Sequence, residues 1–436
     1  MDKQVMKEKV CAAIDARRED IIAIGRDLFQ HPELGYKEFH AAEVVKKAFA
    51  DLGLEYRDQI AITGVRAEMK GKQSKVKVAV LGELDAVVCP EHPHADPLTG
   101  AAHSCGHNAQ VAGMLGVAMA LKDTGLMDQL AGDVAFMAVP AEEYVEIEYR
   151  NKLRSEGKIQ FLGGKQEFIA LGEFDDVDVT MMFHTRSGPD SKITVGGTSN
   201  GFIGKLVKYK GVEAHAGGAP HNGVNALNAA MLGLMGIHAQ RETLKDADHI
   251  RIHPIITKGG DLVNIIPADV RMETYVRGAE MNAIIDASKK VDRALRAGAD
   301  AVGATVEITQ IPGYLPRLNE ETLVNIFTAN ANALVGEDAV SQGGHGSGSS
   351  DIGDVSMLMP TIHPYVGGAV GRGHANDFMI EDEELAYITA AKLMAMSLID
   401  LLADDAALAL SAKEKFQPVY TKESYLKMWE DLFAGE

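Results

Sequence analysis

The residues His103-Ser104-Cys105-Gly106-His107-Asn108 place two imidazoles and a thiol within five positions, just before an apolar run from Val111 to Leu121. Cys105 and His107 are two apart, so in an extended turn both side chains can point at one ion. Thiolate with neutral imidazole is a borderline-soft pair suited to zinc or a neighbouring transition metal. A cysteine beside a histidine is also a common buried, inert pair, so the motif gains meaning only from what surrounds it. Further chemistry-bearing residues recur at the ends of apolar stretches. Residues 75–83 lead to Glu83 and Asp85, 133–140 to Glu142 and Glu143, and 177–183 to His184. Thr361–Val366, followed by a glycine-rich loop, leads to His374. Adjacent Glu142 and Glu143 are of special interest. One carboxylate can ligate a metal while its neighbour takes a proton from a water that the metal acidifies.

These side chains need a scaffold that gathers strand ends. Strands at 75–83, 133–140 and 177–183 alternate with helices, which implies an α/β fold with a mostly parallel sheet sandwiched by helices. Such sheets bind ligands beyond the carboxyl ends of their strands. A helix is expected over 5–29 and another over 39–53, stopped by Gly53, with 87–102 a loop. Past Thr194 the pattern changes: strand 202–210, helix 224–242, strands 250–257 and 270–277, helix 280–297 closed by Gly298, and strand 305–310. This β-α-β-β-α-β order is the ferredoxin-like split unit. Three segments follow: 1–194 as the first part of a catalytic domain, 195–312 as an inserted ferredoxin-like lid and dimerisation domain, and 313–436 as the second part. No internal repeat occurs, and the C-terminal part carries a helix from about 383 to 402.

Composition sets outer limits. The chain has 436 residues, 46% hydrophobic and 24% charged, enough for two globular cores. Its net charge of −19 argues against nucleic acid or an anionic membrane as partner. Three cysteines are too few and too scattered for a disulfide framework, and the first residues carry no apolar signal region. No apolar run is expected to approach a membrane-spanning length. A reducing cytoplasm, which keeps Cys105 available as thiolate, is the expected location.

Taken together, Cys105-Gly106-His107, Pro140-Ala141-Glu142-Glu143, His184, Glu213-Ala214-His215-Ala216 with Pro220, Asn264-Ile265-Ile266-Pro267 and Gly373-His374 form an ordered set. In order and interval this set resembles the co-catalytic metallopeptidase and amidohydrolase family of aminoacylases, hippurate hydrolase, indoleacetyl-amino-acid hydrolases and aminobenzoyl-glutamate hydrolase. The His31-Pro32-Glu33-Leu34 turn resembles that family's N-terminal signature. The resemblance implies that Cys105 bridges two divalent ions (zinc or manganese, with cobalt or nickel as alternatives). It implies His107, Glu143, His184 and His374 as the other ligands, Glu142 as general base and then acid, and Asp85 as a support that fixes an imidazole tautomer. It implies further that His215 steadies the oxyanion in a neighbouring subunit's site, and that Asn264 and Arg277 hold the substrate's carboxylate end. The expected partners are a small-molecule amide and a second copy of the chain, joined through the inserted domain.

Where most close relatives carry Asp, the chain has Asn108, and their Asp-x-Asp is Glu83-x-Asp85. The aminobenzoyl-glutamate branch is nearer on both points. The expected activity is hydrolysis of an N-acyl or N-aroyl amino acid or a similar small conjugate. Alternatives are hydrolysis of a carbamoyl, amidine or aryl-amine C–N bond, a dipeptidase, and a non-catalytic binding protein on the same scaffold. The run 342–350 lacks the Gly-Lys-Ser/Thr ending of a phosphate loop and is read as a flexible pocket wall, with His345 unassigned. His92 and His94 are read as loop residues.

Overall fold

The computed structural model describes residues 1–188 and 192–434. The chain forms two compact units. The first comprises Met1–Gly197, Leu318–Gly344 and Asp354–Lys422; the second comprises Thr198–Arg317, His345–Gly353 and the segment from Glu423 onward. The division at 194/195 and 312/313 lies close to two of these junctions. It places 345–353 and the C-terminal segment differently, since both cluster with the second unit.

In the first unit the expected helix 5–29 is two helices, α1 (Lys3–Ala16) and α2 (Arg18–Gln30). The break falls at Arg17, with φ −96° and ψ 8°, and its guanidinium bonds Asp123 at 2.8 Å and Asp20 at 3.0 Å. Helix α3 (Phe39–Asp51) ends ahead of Gly53, whose φ of +65° suits glycine. The main sheet is built from β1 (Tyr56–Ile60), β2 (Gly64–Met69), β3 (Lys77–Glu83), β4 (Asp133–Val139), β5 (Val179–Met181) and the late strand Thr361–Ile362. Its order is β1-β2-β4-β3-β5 and then Thr361–Ile362. The last four are mutually parallel, while β2 joins β4 and β1 joins β2 antiparallel. Every residue of β4 is buried, as a strand covered on both faces requires.

Helix α4 (His107–Thr124) is buried on all sides from His107 to Leu121 and packs on β3. The close approach depends on Gly82, where a Cβ would lie 3.0 Å from the Cα of Val111. Contrary to the expectation that no run approaches spanning length, Glu384–Leu402, a π-helical turn over Glu384–Thr389 running into Ala390–Leu402, has the length and composition of a bilayer span. Its window is 89% buried inside the protein, so its apolar surface is accounted for by the core. The expected loop 87–102 holds a short antiparallel pair, Val87–Val88 with Ala101–Ala102.

The second unit contains β6 (Gly201–Lys210), α5 (Ala226–Gln240), β7 (Arg251–Ile252), β8 (Ile255–Lys258), β9 (Asp269–Gly278), α6 (Met281–Asp300) and β10 (Thr305–Ile311). The sheet is antiparallel, with β6 between β9 and β10, and with β7 and β8 both on the far side of β9. This is the strand order of the split β-α-β unit. The expected strand 250–257 is interrupted at His253-Pro254, because proline has no N–H for the ladder. Gly298 does not close α6, which continues to Asp300. It lies inside a helix crossing instead: a Cβ there would sit 2.4 Å from the Gly233 nitrogen and 2.5 Å from the Ala229 oxygen. Gly298→Ala is therefore expected to destabilise the protein by about 1–3 kcal/mol through overpacking, read as a lower urea midpoint. An unchanged midpoint would refute the tight crossing.

Candidate metal centre

The first unit's chemistry gathers where β3 and β4 end. Asp85 follows β3 in a buried turn, and His107 opens α4 behind Gly106, which has φ +83°. A Cβ on Gly106 would lie 2.9 Å from Thr185 Cβ, so the Cys-Gly-His spacing is sterically set. After β4 the chain turns at Ala141, a non-glycine residue at φ +55°. This conformation costs about 1–3 kcal/mol and is held from both sides. Its N–H donates to Glu38 Oε1 at 2.8 Å and its carbonyl accepts from Arg150 at 3.3 Å. The turn drives Glu142 and Glu143 inward, each 7% exposed despite its charge. His184 opens the strand His184–Ser187. His374 has φ +61° and donates its backbone N–H to the Ser104 carbonyl at 2.8 Å, which ties a distant loop to the Cys105 turn.

Seven of the expected residues are thus brought together, and each imidazole turns the same nitrogen inward. His107 Nδ1 contacts the Asp85 carbonyl at 2.8 Å, leaving Nε2 facing Glu83 at 3.1 Å, Glu142 at 3.8 Å and Glu143 at 4.0 Å. His184 Nδ1 contacts the Thr185 carbonyl at 2.6 Å, and its Nε2 lies 3.4 Å from Cys105 Sγ. His374 Nε2 is 3.4 Å from the same sulfur and 3.2 Å from Glu143 Oε1. The Asp85 carboxylate accepts the Glu143 N–H at 2.9 Å while its backbone carbonyl meets His107 Nδ1, so one residue braces both a glutamate and a histidine.

The donor atoms fall into overlapping trios: Cys105/His107/His184, Cys105/Glu143/His374 and Glu83/His107/Glu142, each set within 4.8 Å. His107 Nε2, Glu143 Oε1, Glu83 Oε2 and Asp85 Oδ1 are buried without a hydrogen bond among the described residues. Buried polar atoms normally have partners. Orphaned lone pairs on imidazole and carboxylate, converging beside the Cys105 sulfur, fit a pair of divalent ions.

The charges of the cluster are strongly coupled. Burial and the Glu143 charge push the Cys105 thiol up, but His184 and His107 outweigh them and bring it to about 6. Burial would raise Glu143, yet His374 and then His107 draw it down to about 2. Glu143, followed by Cys105, raises His374 to about 11. Burial disfavours the His107 imidazolium, but Glu83 and Cys105 lift it well above its ordinary value.

The other three expected residues lie in the second unit. His215 is exposed, and its Nδ1 accepts the N–H groups of Gly217 at 3.1 Å and Gly218 at 2.9 Å. Asn264 is exposed on the adjoining loop, where its carbonyl accepts the Ala216 N–H at 2.9 Å. Arg277 is half-buried on β9, bonded to His253 at 3.1 Å and Ser349 at 3.2 Å and set over the Phe202 and Tyr275 rings.

Sequence reasoning missed Lys165. Its fully buried ammonium lies 2.5 Å from Glu83 Oε1, so a buried ion pair backs the centre. A lone lysine in the helix Gly164–Leu171 gave no signal beyond its charge within a buried segment. Asn108 turns away from the centre and donates to the Gly25 carbonyl at 2.9 Å and to Tyr387 at 3.1 Å. His345 is engaged in the second unit by Thr198 at 2.9 Å and Asn200 at 3.0 Å and stacks on His249. His92 is buried against the Phe378 carbonyl at 2.8 Å.

A mostly parallel α/β unit with a buried thiolate, imidazole and carboxylate cluster at its strand ends has the form of a metallohydrolase. Residues 79–397 match the model of peptidase family M20/M25/M40, and the chain belongs to that family. It is 30% identical to the Xaa-Arg dipeptidase of Mus musculus over 94% of this chain and 92% of that protein. It is 25% identical to an N-acetylcysteine deacetylase of Bacillus subtilis (strain 168), over 84% and 93%. Two solved structures share the fold. One is a dinuclear metal binding peptidase of this family from Bacillus subtilis (TM-score 0.66, 22% identity, 89% of this chain and 99% of that one). The other is an aminobenzoyl-glutamate utilization protein from Klebsiella pneumoniae (TM-score 0.67, 20% identity, 89% and 97%). The chain is accordingly a hydrolase of C–N bonds.

Proposed function

We propose that this hydrolase is a dinuclear metal-dependent amidohydrolase that cleaves the amide of N-acyl or N-aroyl amino acids or similar small conjugates. The observation that carries the reading is the sharing of Cys105 by two ligand trios, with Glu142 beside them. Cys105, His107, Glu143, His184 and His374 would hold two divalent ions, zinc or manganese first. When bound, the ions supply Lewis acidity and ease deprotonation of water near neutral pH. Glu142 takes the proton of the attacking water and returns it to the leaving nitrogen. Asp85 keeps His107 in the tautomer that presents Nε2. His215 is assigned to oxyanion stabilisation, and Asn264 and Arg277 to the substrate's carboxylate.

A homodimer through the second unit is part of this reading. The exposed Met231 and Met235 of α5 and Ile255 of β8, a strand paired on one side, support it. The cytoplasm remains the proposed location.

A second reading is favoured by a specific relative. The mouse protein is a dipeptidase for Xaa-Arg, and its likeness covers 94% of this chain. One preparation tests both: elemental analysis beside a panel of N-acyl, N-aroyl and N-carbamoyl amino acids and dipeptides ending in Arg. About two ions per chain, with turnover removed by chelation and restored by Zn, Mn, Co or Ni, is the expected result. Turnover confined to the dipeptides would select the second reading. Absence of bound metal and of turnover with every added ion would refute both.

A further inference from the structure

We propose a second, surface metal site formed by Asp27, His31 and His40, separate from the buried centre and taking a zinc-class divalent cation. Asp27 lies in the last turn of α2, His31 caps that helix, and His40 is in the first turn of α3. The Asp27 carboxylate reaches both imidazoles, with Oδ2 2.8 Å from His40 Nε2 and Oδ1 3.3 Å from His31 Nδ1. The rings are 4.5 Å apart, and one donor atom from each residue lies within 4.8 Å of the others.

A tetrahedral ion with bonds of about 2.1 Å sets its ligand atoms roughly 3.4 Å apart. The three side chains are therefore within a small adjustment of coordination. Their separations match those of the buried centre, where His374 Nε2 is 3.2 Å from Glu143 and 3.4 Å from Cys105. Uptake would exchange two existing contacts, His31 Nδ1 to the Asp27 carbonyl and His40 Nε2 to Asp27 Oδ2, both at 2.8 Å.

The scaffold is preorganised. Glu33, in the turn between the helices, accepts the N–H groups of His40 and Ala41, both at 3.0 Å, and so fixes the start of α3 beside the end of α2. The same turn donates nothing to the ligand set and leaves the Asp27/His31 side open to water, His31 being 53% exposed. Two imidazoles and one carboxylate with open positions form a nitrogen/oxygen site for zinc, cobalt, nickel or iron(II), not for calcium or magnesium. An ion there would pin α2 to α3 across the turn whose Leu34 bridges Ala86, next to Asp85.

The test uses the full chain and zinc itself. Equilibrium dialysis with elemental analysis is compared for wild type, His40→Ala and His31→Gln. Cobalt substitution supplies the control: the thiolate-to-cobalt charge-transfer band reports the Cys105 centre, whereas the surface site has no sulfur and adds only ligand-field absorption. The expected result is loss of one zinc equivalent in each variant with the thiolate band unchanged, and loss of the zinc-induced rise in Tm that this equivalent confers. Equal zinc content in wild type and either folded variant overturns the proposal. His31→Gln, at the exposed position, keeps the test decisive if His40→Ala fails to fold, since the thiolate band certifies folding.

Discussion

Glu142→Ala is expected to lower kcat by about 10²–10⁴, the range of a positioned general base, while leaving metal content unchanged. Glu142 Oε2 is 3.8 Å from His107 Nε2, close to the ligands yet outside both trios that share Cys105. Its removal deletes a proton acceptor and keeps Cys105, His107, Glu143, His184 and His374 in place. The check is kcat on the best panel substrate beside elemental analysis of the same sample. A variant within tenfold of wild type would remove the general-base role. A variant that loses an ion would instead move Glu142 into the ligand set, as the Glu83/His107/Glu142 trio allows.

Lys165→Met is expected to be the most destabilising single change near the centre, by about 3–5 kcal/mol in the metal-free protein, because it removes the nearest cation from a fully buried carboxylate. Both partners are fully buried and 2.5 Å apart. Lys165→Met combined with Glu83→Gln should recover part of the loss, since removing both charges is far milder than removing one. The pH dependence has a definite sign. Burial raises Glu83, but Lys165 and His107 outweigh it and hold its carboxyl below the ordinary range. Its stabilising contribution is present above the unfolded carboxylate value and fades as pH falls through the lower folded value. The gap between wild type and Lys165→Met should therefore narrow in acid. Urea unfolding across pH reads this directly, and a penalty under about 1 kcal/mol at neutral pH would show that the pair is not an uncompensated-charge trap.

How far the site was legible depended on whether its signals were local. Cys105-x-His107 and Glu142-Glu143 are each contiguous motifs; Glu142-Glu143 follows an apolar strand, which places it at a sheet edge, whereas Cys105-x-His107 leaves a loop and opens an apolar helix. The backing of that edge was not local. Lys165 meets Glu83 across 82 positions, and nothing in Gly164–Leu171 announces the partner. The break at Arg17 rests on Asp123, and the role of Gly298 rests on Gly233; one-dimensional patterns see a long helix and a terminator. Segment 345–353 reads as a loop of the flanking domain, yet His345–Gly346 pairs with Thr198–Ser199, a choice made by strand pairing over a long separation.

The order of synthesis follows from where the proposed ligands lie. Cys105, His107, Glu143 and His184 emerge before the second unit and His374 after it, with the His374 loop tied to Ser104 only when the late chain docks. At about 5–20 residues per second, the roughly 190 positions between His184 and His374 take on the order of 10–40 s to translate. For that interval a nascent chain carries a reactive thiol and two imidazoles with their enclosure unfinished. Competence for metal would arrive late and abruptly, so a ribosome-bound fragment ending before His374 should be more open to thiol-reactive reagents at Cys105 than the released protein.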